Sequence, residues 1–154
     1  MSELRDSLGN AFVVWFQGNH AACQYCLDLW DIAQVWDDLI DGDHVEGDEI
    51  NKVMVKATSS LHTNPFFVQY ASSLIPVQVS TFLQWRDATT IELDPERTED
   101  DLAKCYMLRA GLYSLFAFVA FLVGGDEWAK QVGPQIRRHY GEKFSEYRQE
   151  MQNA

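Results

Sequence analysis

Residues 20–41 read HAACQYCLDLWDIAQVWDDLID, and this stretch decides the fold class. On a wheel of about 100° per residue, Ala22, Tyr25, Leu29, Ile32, Ala33, Trp36, Leu39 and Ile40 gather on one side. Asp31, Gln34, Asp37, Asp38 and Asp41 gather on the other, where Leu27 and Cys23 interrupt them. A packed face opposite a polar arc is the signature of an amphipathic helix. Asn19 suits the N-cap, and Gly42 suits the residue that stops the helix.

The rest of the chain reads the same way. Residues 3–16 form a helix that is either continuous or irregular at Gly9 and Asn10, so 1–18 is set apart as a separate N-terminal helix. Asp48 is expected to cap a helix from Glu49 to Leu61. Pro65 opens a helix through Trp85, and Pro76 predicts a kink or a division there. Residues 89–99 read as a link. Thr98, followed by Asp100 and Asp101, starts a helix that runs to Val123, with acids where the helix dipole favours them. Gly124 and Gly125 end it, and Asp126 starts a last helix to Met151, bent at Pro134. Its polar final turns, 145–154, are expected to fray. The expectation is therefore all-α: one domain over 1–154, a bundle of five to six helices, with a buried hydrophobic helix near 102–123 at its centre.

Composition narrows the function classes. The 154 residues carry a net charge of -11, and residues 1–50 hold eleven acids against one base, Arg5. Duplex nucleic acid needs a phosphate-neutralising face, and no dense basic patch exists, so direct nucleic-acid binding is not expected. Cys23, Cys26 and Cys105 are an odd number, which argues against a disulfide framework and for a reducing, cytoplasmic setting. The CQYC spacing falls inside a helix and reads as ordinary buried thiols rather than a redox pair or zinc site. Residues 110–125, AGLYSLFAFVAFLVGG, are a little short for a membrane span and read as a core helix, so a membrane location is not expected.

The chemistry-bearing feature is DDLID, residues 37–41. Asp37 and Asp41 lie one turn apart on the same face, with Asp38 beside them. Like charges at this spacing repel, and they stand at the helix end whose dipole disfavours acids. A divalent cation removes both penalties, and Mg²⁺ commonly bridges carboxylates to phosphate oxygens. Asp37, Asp38 and Asp41 are thus the candidate metal ligands. Lys104, Arg109, Lys130, Arg137 and Arg138 are the candidate phosphate contacts.

DDLID resembles the D-D-x-x-D motif of class I isoprenoid synthases. That resemblance implies Mg²⁺ on Asp37 and Asp41, with Asp38 assisting, and an allylic diphosphate substrate. In size the chain is similar to the compact all-α nucleotide pyrophosphohydrolases, whose Mg²⁺ sites use E-x-x-E and E-x-x-D pairs. Asp38 with Asp41, Asp28 with Asp31, and Glu96 with Glu99 have that spacing. This likeness implies metal-assisted attack of water on a phosphoanhydride. Against this enzyme reading stands the one favoured here: an acidic helical accessory protein that works through a protein partner or a homodimer, without catalysis.

Overall fold

The computed structural model describes residues 2–154; Met1, part of the expected 1–18 helix, lies outside them. The described chain is all-helical, as expected, with no strand. Its residues cluster into two compact units, Met1–Ser72 and Ser73–Ala154.

The first unit begins with α1, Ser2–Trp15, which is continuous through Gly9 and Asn10. Leu8, Phe12 and Trp15 are its buried face, at helical spacing, and Phe16 just past its end is buried with them. Gln17 and Gly18 take left-handed backbone angles and turn the chain. Asn19 then caps α2, His20–Asp41, by accepting the Ala22 N–H at 3.0 Å. Gly42, at φ 79°, closes α2 in the left-handed conformation that glycine adopts without steric cost. The Asp43 N–H reaches back to the Asp38 carbonyl at 2.8 Å.

The next helix departs from expectation. α3 covers Gly47–Val55, so Asp48 stands in its first turn and Glu46 holds the cap position. The rod continues through a π-helical turn, Lys56–Ser60, into a short α4, Leu61–Thr63. Asn64 is the hidden joint of this unit. Its side chain is buried, accepts the Phe66 and Phe67 N–H groups at 2.9 and 3.1 Å, and donates to the Ala21 carbonyl at 2.9 Å. One amide thus caps the following helix and ties it to the start of α2.

α5 spans Pro65–Glu92 and passes from the first unit into the second. Its non-helical residue is Tyr70 (φ -115°, ψ 18°), not Pro76, and the helix does not divide at the proline. Residues 89–92, expected in a link, continue the helix. The Thr89 and Thr90 hydroxyls bond back to the carbonyls of Trp85 and Arg86, each at 3.2 Å.

In the second unit α6 is Glu99–Arg109, α7 is Gly111–Arg138 and α8 is Phe144–Asn153. Thr98 and Asp101 form a capping box: Asp101 accepts the Thr98 N–H at 3.0 Å, and Thr98 accepts the Asp101 N–H at 3.2 Å. The single helix expected over 98–123 is broken at Ala110 (φ -80°, ψ 7°). Gly111, the first residue of α7, is closely approached by the Gln84 side chain of α5: a Cβ there would stand 2.5 Å from Gln84 Oε1. Leu112, Tyr113, Leu115, Phe116, Val119 and Ala120 are buried, which bears out the central apolar segment. Gly125 (φ 80°, ψ -176°) interrupts α7 where a helix end is expected, so α7 consists of two helical segments that meet at a kink there. The segment 145–154 belongs to α8, held by buried Tyr147 and by Arg97 donating to the Met151 carbonyl at 2.7 Å. Tyr147 packs with Ala88, Leu102 and Cys105 in one apolar cluster.

Candidate functional site

The acids of α2 divide into two groups with different surroundings. Asp28 and Asp31 are packed. Asp28 is 3% exposed and accepts Gln24 Nε2 at 3.0 Å. Asp31 accepts both Nε and Nη2 of Arg5, at 2.7 and 2.9 Å, from α1. Lys56, the first residue of the π turn, bonds Asp31 and lies 3.5 Å from Asp28. Two carboxylates and two bases thus join three elements, α1, α2 and the π turn. Burial works against charge on Asp31, but the bonds from Arg5 and Lys56 outweigh it and hold its carboxyl below the usual range. Asp31 in turn raises the Arg5 guanidinium above its ordinary value.

A cleft of about 220 Å³ opens beside this cluster, lined among others by Arg5, Trp30, Asp31, Glu49, Lys52 and Lys56. Every base on it already has a carboxylate, since Lys52 bonds Asp48 at 2.6 Å. An incoming anion would have to displace those acids. The arrangement is chemically suited to locking α1 and the π turn onto α2.

The expected metal ligands lie one to three turns further on. Asp37 and Asp38 are half-buried, and Asp41 is exposed. Among the described residues, no group of three or more His, Cys, Asp or Glu side chains is placed to hold a metal ion. The expected apolar stripe is buried at its start, at Ala22 and Tyr25, and fails at its end. Leu39 and Ile40, expected in the packed stripe, are 48% and 54% exposed. The polar arc carries Asp31, which faces α1 and the π turn. The ion pairs of Asp31, invisible in the helix's own period, add part of the polar arc to the covered surface of α2.

The expected phosphate contacts have local partners. Lys104 bonds Asp101 at 3.1 Å; Lys130 bonds Asp126 and Glu127 at 2.9 and 2.8 Å; Arg137 donates to Ser114 at 2.8 Å. Arg138 is exposed. Arg109 is part-buried and bound within the second unit. Its guanidinium bonds Glu92 and Thr89 and lies 5.6 Å from the centre of the Trp85 ring. Trp85 Nε1 donates to the Arg109 carbonyl at 2.9 Å, and the Tyr147 hydroxyl donates to Glu92 at 2.6 Å. The three cysteines are buried and unpaired, and burial pushes the Cys26 thiol well up.

The feature that sequence reading passed over is the surface of α5. Residues 57–85 contain no Asp, Glu, Lys or Arg. Within this run Ile75, Val79, Phe82 and Leu83 are 48%, 51%, 49% and 37% exposed. The signal was available as an absence of charge over 29 residues in a chain with 35 charged side chains. α5 and α7 are both long and apolar enough to cross a membrane, by length and composition alone.

The chain matches no protein-family model, and no curated protein or solved structure is significantly similar to it.

Proposed function

We propose that this protein acts as a small acidic helical interaction protein, presenting a helix surface to a protein partner, without chemistry of its own. The observation that carries the reading is the charge-free, half-exposed apolar row on α5, Ile75, Val79, Phe82 and Leu83. Exposed apolar area costs about 25 cal/mol per Å², so a contiguous row of this kind is stabilised by a cover. A protein cover suits it better than lipid. The same part of the helix carries Ser73, Gln78, Ser80 and Gln84, whose polar groups hydrocarbon cannot satisfy. The buried, unpaired thiols fit a reducing compartment such as the cytoplasm.

The competing proposal is an Mg²⁺-dependent enzyme acting on a diphosphate through Asp37, Asp38 and Asp41. One paired experiment separates them. Immobilised wild type and Val79→Glu are compared for retained proteins from a cell extract. In parallel, nucleoside triphosphates and an allylic diphosphate are incubated with the free protein and Mg²⁺. The interaction reading expects a retained protein, a second copy included, that Val79→Glu loses. Turnover that Asp38→Ala abolishes would overturn it.

A further inference from the structure

The rod from Gly47 to Thr63 is anchored to α2 on both sides of its π turn. Lys56, at the start of that turn, donates to Asp31 and lies 3.5 Å from Asp28, in the middle of α2. Beyond the turn α4 packs on α2 with Leu61 buried, and buried Asn64 donates to the Ala21 carbonyl at 2.9 Å. In a helix of about 3.6 residues per turn, positions five apart lie about 140° apart around the axis. A continuous α-helix would therefore carry Leu61 well away from the side that Lys56 presents to α2. The π turn removes this mismatch. The Leu61 N–H bonds the Lys56 carbonyl, five residues back, so the two residues stand one turn apart on the same side. The turn thus takes up one residue more than an α turn would hold.

The two anchors differ in kind. Leu61 and Asn64 are buried and hold without charge. On the other side α3 has no fully buried residue, and Glu46 gives it no side-chain cap. Its setting on α2 rests on half-buried Ile50 and Val53 and on the Lys56 pairs. The acids that Lys56 meets have other donors: Arg5 for Asp31 and Gln24 for Asp28. Loss of the Lys56 charge therefore strands neither carboxylate.

We propose that the π turn is a conformational joint whose state is set by the charge of Lys56. With Lys56 charged, its pairs to Asp28 and Asp31 hold the π form. With that charge removed the turn relaxes to the commoner α form, and α3 rotates about its axis by one residue step, roughly 100°. Glu49, Lys52 and Val53, which line the cleft together with Trp30 and Asp31, then turn out of it. The joint decides whether α3 forms one wall of that cleft.

NMR couplings across hydrogen bonds in the full chain test this. In wild type the Leu61 amide nitrogen should couple to the Lys56 carbonyl carbon. Lys56→Met keeps an apolar stem and loses the charge. Its coupling should move to the Ala57 carbonyl carbon, with circular dichroism unchanged and proximity of Val53 to the Trp30 ring lost. Lys52→Met, which removes the exposed lysine bonded to Asp48, should leave the coupling at Lys56. A Lys56→Met protein that keeps the Lys56 coupling overturns the proposal. One that unfolds does so too, because Lys56 is then an anchor of the whole fold. Deletion of exposed Thr58 is an independent arm. One residue fewer should give a continuous α rod with both anchors in place, the Leu61 coupling still at Lys56 and Tm within a few degrees of wild type. A deletion that lowers Tm by roughly 10 °C or more shows that the residue is not spare, and overturns the proposal as well.

Discussion

Replacing Arg109 by methionine separates a structural role from a phosphate-binding one. The Arg109 and Glu92 side chains are 15% and 10% exposed. Arg109→Met keeps most of the packed stem but removes the bonds to Glu92 and Thr89 and the cation near Trp85. Glu92 then keeps its charge with the Tyr147 hydroxyl as its remaining bond among those described above. Breaking a buried pair from one side costs about 3–5 kcal/mol, and the residual exposure of both groups favours the lower end, about 3 kcal/mol. For a chain of this size that corresponds to a fall in Tm of roughly 6–12 °C. Glu92→Gln should cost a similar amount, because it strands the arginine. The double variant has no stranded charge, and its glutamine can still accept from Tyr147. It should cost less than the sum of the singles by about 2 kcal/mol or more. Urea and thermal denaturation of the four proteins at pH 7, followed by circular dichroism, provide the cycle. A loss below about 1 kcal/mol in Arg109→Met, or strict additivity, would refute the argument that this pair holds the second unit together.

Asp38→Ala should raise stability by about 0.3–1 kcal/mol, because it removes an acid from the unfavourable end of α2. If Mg²⁺ is held by Asp37, Asp38 and Asp41, millimolar MgCl₂ will instead raise the wild-type Tm and leave the variant unmoved, which calorimetry detects directly. Asp101 should titrate at about 2 in a carboxyl NMR titration, held down first by the Thr98 N–H, then by the Thr98 hydroxyl and Lys104. Its folded pKa is below the unfolded value of about 3.9, so its stabilising contribution is present above that value and is lost as pH falls toward 2. Thr98→Ala should return the titration toward the ordinary value; an unchanged midpoint would show that the capping box is not its cause.

The sequence by itself determined what depends on near neighbours. Asn19 and Gly42 bound α2 because a cap needs only its own turn. Thr98 and Asp101 start α6 for the same reason. The apolar run after Ala110 is buried because so dense a stretch has few other stable solutions in a helical fold. Tertiary structure decided the rest. Asp31 became part of a packed ion cluster because Arg5 and Lys56, 26 and 25 residues away in sequence, converge on it. Arg109 became a structural ion-pair partner because Glu92 arrives from another helix, itself bonded by Tyr147. The helix expected over 98–123 broke at Ala110, which sets Gly111 against Gln84 of α5, a neighbour that no local spacing announces. The stretch 20–41 was read correctly as a helix from its own period. Which of its faces would be covered was not in that period, because a helix carries the same stripe whichever neighbour reaches it first.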